Sequence, residues 1–195
     1  MPVKSEQAMN YYVDMDVRPD LDFSVDNLMA ALYGRLHRAL AAMNVVSVGV
    51  SFPGYDVSSS HVGGRMRLHG SCEALTALFE GDWLKGVRDY LDVTKPCPVP
   101  EGVQHRKVFR VQTKSSPARL RRRLMRRHGT DEQKALTQIP DAVARYANLP
   151  YVQFRSSSTG QPFRLFIDHG PLQAHPEPGR FSSYGLSHGA TVPWF

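Results

Sequence analysis

The sequence predicts an α+β fold in which an N-terminal ferredoxin-like (RRM-like) βαββαβ domain precedes a smaller α+β domain. Strand and helix signals alternate over the first hundred residues, whereas an arginine-rich helix and a set of short C-terminal strands follow. Three prolines and a glycine stand between Pro96 and Gly102, a composition typical of a boundary. We therefore predict two domains, residues 1–100 and 101–195.

The first domain is predicted from two helical segments and four strand segments. A helix is expected from Ser24 to Met43, because its apolar residues recur at helical spacing on one side. A second helix is expected over residues 72–91. The strand segments are YYVDMDV (11–17), VVSVGVSF (45–52), GRMRLHG (64–70) and DVTKPC (92–97). This order is that of the split βαβ unit, which many RNA-binding domains use.

The second domain is predicted to begin with a strand in RKVFRVQTK (106–114). Ser116 and Pro117 are a good N-cap and first residue for a helix over about 117–128, and Gly129 suits its C-terminal end. Another helix is expected from Thr130 or Asp131, interrupted at Pro140 and resuming to about Asn148. The remaining segments read as strands separated by turns: YVQFRSSSTG (151–160), FRLFIDHG (163–170) and RFSSYGLSHGATVPWF (180–195).

Positive charge is concentrated in one segment of the chain. The formal net charge is +6, from 24 Lys/Arg and 18 Asp/Glu. Ten of those basic residues, and no acidic ones, lie between Arg106 and His128, so the rest of the chain is acidic with 14 basic against 18 acidic residues. Such a distribution predicts a binding surface for a polyanion.

The arginine-rich helix places its guanidinium groups on one side. At 100° per residue, five arginines share an arc of about 140°, and Leu120 and Leu124 form a narrow apolar stripe beside it. The absence of acids disfavours a solvated face, the capped helix disfavours a localisation tag, and two leucines are too few for a membrane surface. Nucleic acid is therefore the favoured ligand, while the residues leave RNA or DNA open. The arginines of the arc are Arg119, Arg122, Arg123, Arg126 and Arg127.

Other features exclude several protein classes. No run approaches the roughly 18 apolar residues of a membrane span, and the N-terminus has no apolar signal segment, so a cytoplasmic location is expected. Cys72 and Cys97 lack metal-ligand spacing and are predicted to be reduced thiols. No cofactor and no metal site are predicted.

Six motifs in order resemble the CRISPR-associated endoribonuclease of the type I-F system, over Tyr11 to Phe195. The motifs are YGRLHRAL (33–40), GVSFP (49–53), RVQTKSSPARLRRRLMRRH (110–128), RSSSTGQPFRLFI (155–167), HGPLQ (169–173) and YGLSHGATVPWF (184–195). The resemblance implies a metal-independent nuclease that recognises the stem-loop of the CRISPR repeat and cuts the precursor transcript at the 3′ base of the stem. It also implies 2′,3′-cyclic phosphate and 5′-hydroxyl ends, and retention on the guide RNA beside other subunits of the interference complex.

The resemblance also assigns roles to individual residues. His37 matches the catalytic histidine, Ser156 the residue that holds the 2′-hydroxyl, and Tyr184 the residue that orients the histidine ring. It further implies that Arg110 and Gln112 read purine edges and that Phe163 stacks on the terminal base pair. Ser158 and Thr159 match residues that contact phosphate. The residues that match the lining of the major groove are Arg122, Arg123, Arg126 and Arg127.

The residues alone leave simpler interpretations open. His37 falls at the edge of the apolar stripe of the first helix, where an ordinary boundary histidine is common. The segment SSSTG is typical of a turn, and Tyr184 is compatible with a half-buried strand residue. A stem-loop-binding module that anchors guide RNA without cutting it, or a DNA-binding regulator, would share the arginine-rich helix.

Overall fold

The structure is a computed structural model that describes residues 9–18, 20–58, 60–112, 117–140, 149–155 and 160–195. For residues 117–119 it describes the backbone alone. No helix in these ranges is long and apolar enough to cross a membrane. Both cysteines are free thiols.

The first hundred residues form the predicted ferredoxin-like unit. The order of the central sheet is β2-β3-β1-β4, its pairs are antiparallel, and the short strand β5 (Cys97–Pro98) continues beside β1. This order is the one a split βαβ unit produces. The elements are β1 (Tyr11–Val17), α1 (Val25–Ala42), β2 (Gly49–Ser51), β3 (Arg65–Gly70), α2 (Cys72–Phe79) and β4 (Leu91–Val93).

Helix α1 begins and ends where the sequence predicts. The Ser24 hydroxyl accepts a hydrogen bond from the Asn27 amide and caps the first turn. The leucines of the predicted stripe are buried, together with Met29, Tyr33 and Gly34. Met43, which was predicted on the buried side, is 46% exposed because the last helical residue is Ala42 and Met43 is the C-cap.

The predicted helix over 72–91 is wrong in length. Helix α2 ends at Phe79, and two 3-10 turns, Asp82–Leu84 and Arg88–Tyr90, occupy the rest. Gly86 between those turns has a φ of +82°, a backbone conformation that no α-helix contains. Helix α2 itself ends earlier, because Gly81 takes an extended backbone conformation (φ −86°, ψ 155°) directly after the C-cap Glu80, and the φ of Gly86 is a second break before β4.

The second half combines short sheets with the arginine-rich helix. A three-stranded antiparallel sheet has the order β7-β9-β8, and β6 pairs with the last strand, β12. Helix α4 is capped by Asp131, whose carboxylate accepts from the Lys134 amide, and it stops before Pro140. Ser116 and the predicted continuation to Asn148 lie outside the described residues. The elements are β6 (Gln104–Arg106), β7 (Val108–Val111), α3 (Pro117–His128), α4 (Glu132–Gln138), β8 (Tyr151–Arg155), β9 (Pro162–His169), β10 (Arg180–Phe181), β11 (Ser187–His188) and β12 (Val192–Trp194).

The C-terminal residues cover the sheet face that lies opposite the helices. A side chain on Gly49 of β2 would meet Val192 and Phe181 at less than 3 Å, so only glycine lets them pack there. On the same face, Arg67 forms a buried ion pair with Asp14, donates to the carbonyl of Phe195 and lies 4.0 Å from its ring. RRM domains bind RNA through this face of the sheet, which the C-terminal chain occupies here.

The hydrophobic core is continuous across the two halves. One buried cluster includes Val13 and Leu36 from the first half and Leu165, Ile167 and Val192 from the second. The predicted division near residue 100 remains a prediction.

Candidate active site and RNA-binding surface

His37 lies on α1 at the edge of its buried face. Its side chain is half-buried, one helical turn after the fully buried Tyr33. Gly34 is buried as well, and the ring of Phe154 from β8 lies 3.4 Å from the position that a Cβ would take there, which is van der Waals contact. Strand β8 thus packs closely on this part of α1.

A tight turn, residues 182–186, faces His37, and we call it the support turn. The Ser182 hydroxyl accepts hydrogen bonds from the amides of Tyr184 and Leu186, and the Ser182 amide donates to the carbonyl of Leu186. Gly185 has a φ of +67° and its carbonyl accepts from the Val50 amide at 2.8 Å. The support turn is therefore built on the outer edge of β2.

The support turn fixes the imidazole of His37 in two ways. The Tyr184 ring stacks on it with centroids 3.7 Å apart and planes 2° from parallel. The Nδ1 atom lies 3.0 Å from the carbonyl oxygen of Ser183. Because a carbonyl can only accept, Nδ1 carries the hydrogen, and in the neutral ring the lone pair is on Nε2. The geometry therefore prepares Nε2 to accept a proton.

Aromatic rings surround this stack. Phe154 lies 5.9 Å from Tyr184 and 5.6 Å from Tyr33, between ring centroids. Phe163 is the direct cross-strand partner of Phe154, with centroids 5.7 Å apart, and it is half-buried. Direct partners point to the same side of a sheet, so Phe163 presents part of its ring on the side that faces the histidine.

Arg110 and Gln112 lie near the end of β7, with Arg110 inside the strand and Gln112 directly after it. Arg110 pairs with Ile167 across the strands, so it lies on the sheet face that carries Phe163, and its side chain is exposed. Burial and the proximity of Tyr184 raise the pKa of Tyr33, while the charge of Arg110 opposes that rise. The charge of Arg110 therefore acts on the buried tyrosine that lies one turn before His37. Gln112 is exposed just beyond the strand.

Helix α3 has the two sides predicted for it. Leu120, Arg121, Leu124 and Met125 are half-buried, and Arg121 donates to the carbonyl of Ile139 at the end of α4. The opposite side exposes four arginines, Arg122, Arg123, Arg126 and Arg127. Gly129 ends the helix with a φ of +60°, and its amide donates to Met125. For Arg119 the structure describes only the backbone.

Comparison with known proteins identifies the family. Residues 12–195 match the family model described as CRISPR-associated protein (Cas_Csy4). The chain belongs to this family. It is 52% identical to the CRISPR-associated endonuclease Cas6/Csy4 of Pseudomonas aeruginosa (strain UCBPP-PA14). This alignment spans 187 residues and covers 96% of this chain and 100% of that protein. It is 44% identical, with the same coverage, to the CRISPR-associated endonuclease Cas6/Csy4 of Escherichia coli (strain UTI89 / UPEC).

The Cas_Csy4 match confirms the resemblance inferred from the sequence motifs. Of the predicted site residues, the structure brings together His37, Tyr184, Phe163 and Arg110, while the four exposed arginines lie on α3. Ser156, Ser158 and Thr159 lie outside the described residues, directly after the last residue of β8 in the sequence. Their roles remain predictions.

Two other histidines of this Cas_Csy4 member are buried and neutral. Burial and the nearby charge of Arg67 lower the pKa of His69 to about 3, and its Nε2 bonds with the hydroxyl of Ser51. Burial and the charge of Arg106 lower the pKa of His169 to about 3. The His169 ring is stacked on Tyr55 and neither of its nitrogens has a hydrogen-bond partner among the described residues. Both rings are packing elements.

Sequence reasoning missed the groups that hold the histidine. Ser182, the Ser183 carbonyl, Gly185 and Tyr33 build its support, although Tyr184 alone was singled out. The only available signal was SSYG, which is typical of a turn that needs a positive φ at glycine. Among the described residues, no group of three or more His, Cys, Asp or Glu side chains is arranged to hold a metal ion.

Proposed function

We propose that the chain is a metal-independent endoribonuclease that recognises the stem-loop of a CRISPR repeat and cuts the precursor RNA at the 3′ base of the stem. One observation carries this proposal. The Nδ1–H of His37 donates to a backbone carbonyl while Tyr184 stacks on the ring, which leaves the lone pair of the neutral ring on Nε2, where it can accept a proton. The family match and the names of the relatives support an endonuclease.

The proposed chemistry uses the nucleophile that RNA contains. Nε2 of His37 removes the proton of the 2′-hydroxyl, and the 2′-oxygen forms a bond to the adjacent phosphorus. The bond from phosphorus to the 5′-oxygen breaks, and that oxygen takes up a proton. The products are a 2′,3′-cyclic phosphate and a 5′-hydroxyl, and no metal-bound water is consumed. In this proposal Ser156 holds the 2′-hydroxyl in line with the scissile bond.

The substrate is held outside the reacting bond. Arg122, Arg123, Arg126 and Arg127 bind the phosphates of the stem along its major groove, with Arg119 at the start of the same arc. Arg110 and Gln112 read purine edges near the base of the stem, and Phe163 stacks on its last base pair. Ser158 and Thr159 contact phosphate. Cleavage leaves these contacts intact, so the nuclease stays on its product and serves as a subunit of the type I-F complex beside other protein subunits.

The decisive experiment compares two RNAs in excess EDTA. One is a repeat stem-loop, and the other carries a 2′-deoxy sugar immediately 5′ of the scissile phosphate. We expect one cut in the first RNA, with cyclic phosphate ends, and none in the second. His37→Ala should abolish cutting and leave affinity unchanged, whereas His175→Ala, at an exposed loop histidine, should cut normally.

Three outcomes would contradict the proposal. Tight binding of both RNAs without cutting would make the protein an anchoring module for guide RNA. Cutting that requires added divalent metal, or that proceeds on the 2′-deoxy RNA, would exclude attack by that hydroxyl. Binding that does not distinguish RNA from DNA would favour a DNA-binding regulator.

A further inference from the structure

Tyr33 connects the helix that carries His37 to the support turn. Its side chain is 0% exposed, and its hydroxyl donates a 2.8 Å hydrogen bond to the backbone carbonyl of Tyr184. Its ring lies 6.1 Å from that of Tyr184, in edge-to-face geometry, and 5.3 Å from Phe52 on the other side. The tyrosine is thus fixed by the core and reaches the residue that stacks on the histidine.

We propose that Tyr33 is a positioning residue, whose hydroxyl holds the Ser183–Tyr184 segment against α1 and thereby orients the His37 imidazole. This inference rests on the proposed function of His37 as the base. Tyr33 and His37 are four residues apart, so both side chains leave the same side of α1 and meet the same segment. One donates to the Tyr184 carbonyl and the other to the Ser183 carbonyl, at neighbouring peptide groups.

The other contacts of the support turn do not replace this hydrogen bond. The Val50 amide holds the carbonyl of Gly185, and Ser182 closes the turn internally. Those bonds fix the turn to β2 and to itself, whereas the hydrogen bonds of Tyr33 and His37 join it to α1. Without the Tyr33 bond, the turn is joined to α1 by the bond of His37, which is the side chain to be oriented, and by ring packing, which is less directional than a hydrogen bond.

The protonation state of the Tyr33 hydroxyl also suits it to be a hydrogen-bond donor. Burial raises the pKa of Tyr33 well above that of a free tyrosine, so at neutral pH the hydroxyl is protonated and can donate. A phenylalanine would fill the same space between Phe52 and Phe154, so packing alone does not require the oxygen. We therefore assign the hydroxyl to the hydrogen bond with the carbonyl of Tyr184.

The test is Tyr33→Phe, which removes one oxygen and keeps the ring. We expect single-turnover cleavage of the repeat stem-loop to slow about tenfold, because a base that is held less precisely raises the barrier. The Kd for the RNA should not change. Thr94→Val is the matched control, since it removes the partly buried hydrogen bond that the Asp14 amide of β1 donates to the hydroxyl of Thr94, the residue directly after β4, and β4 is the strand farthest from β2. It should cleave at the wild-type rate.

A second measurement reports orientation without activity. The stacked Tyr184 ring shifts the NMR resonance of the His37 Hε1 proton upfield, and the His37→Ala spectrum identifies that resonance. Tyr33→Phe should move it toward the position of an unstacked histidine, and Thr94→Val should leave it in place. A Tyr33→Phe protein with wild-type cleavage and an unmoved resonance would overturn the inference, even if His37→Ala is inactive. If His37→Ala cuts normally, the proposed function fails and the inference fails with it.

Discussion

Replacing Gly185 by alanine tests whether the support turn needs the geometry that the structure gives it. Gly185 has a φ of +67°, and a Cβ at this position would lie 2.3 Å from Cγ2 of Val50 and 3.3 Å from its backbone nitrogen. Val50 is 0% exposed and belongs to the sheet, so it cannot move aside without displacing core residues. The turn must therefore shift, and Tyr184 and Ser183 shift with it.

The cost has two parts that can be measured separately. A left-handed φ costs an L-residue roughly 1–2 kcal/mol, and forcing a methyl group into a packed site costs about 1–3 kcal/mol more. We therefore expect Gly185→Ala to lower the free energy of unfolding by about 2–5 kcal/mol. Gly102 is the matched control, because its φ is +72° and a Cβ there would meet nothing within 4 Å. Gly102→Ala should show the backbone part alone.

Urea unfolding and cleavage of the repeat stem-loop are the two assays. Gly185→Ala should lose more stability than Gly102→Ala, and it should also cleave more slowly at a temperature where both variants remain folded. Adding Val50→Ala removes the clashing methyl groups, so in that background the cost of Gly185→Ala should fall toward that of Gly102→Ala. Equal costs for the two glycine variants in the original background would refute the steric argument.

Two further predictions concern charge. Arg126→Gln and Arg127→Gln should each weaken RNA binding and reduce the slope of log Kd against log salt by about 1. Arg180 is an exposed arginine outside α3, so Arg180→Gln should change neither the affinity nor the slope. An unchanged slope for Arg126→Gln and Arg127→Gln would mean that Arg126 and Arg127 do not contact phosphate. Acid should destabilise the fold, because the pKa values of His69 and His169 are lowered to about 3, so below about 6.5 the unfolded chain binds protons that the folded chain does not. Between pH 6.5 and 5 the free energy of unfolding should fall by about 1.4 kcal/mol per pH unit for each of these two histidines. The variant His169→Phe keeps the stack on Tyr55, and its urea unfolding should show about half the pH dependence of the wild-type protein. Equal pH dependence in the wild type and the variant would contradict the assignment of His169.

Local patterns carried most of the fold prediction. Ser24 caps α1 and Gly129 ends α3 as expected, because capping depends on residues within four positions of each other. Helix α2 was predicted too long because its apolar spacing continues past Phe79. The helix is interrupted at Gly81, which is extended, and again at Gly86, which has a positive φ, and a single glycine is compatible with either outcome in a helical pattern.

The site was harder to predict than the fold. The 3.6-residue period placed His37 at the edge of the buried face, where the structure has it. Periodicity contains no information about Ser183, which contributes only a backbone carbonyl from 146 residues away. Tyr33 was predictable as a buried ring, but its hydrogen-bond partner is set by the long-range packing of the support turn against β2.

The C-terminal chain explains why a ferredoxin-like sheet does not supply the RNA-binding face here. Phe181 and Val192 pack on Gly49, and Phe195 packs on Arg67, so the face that RRM domains use is filled by protein. The same chain reaches the edge of β2 and forms the support turn there. The packing of the C-terminal chain on the sheet therefore also positions the support turn beside His37. A substitution at Gly49, on the covered face of the sheet, should therefore weaken cleavage through the support turn and leave the arginines of α3 unaffected.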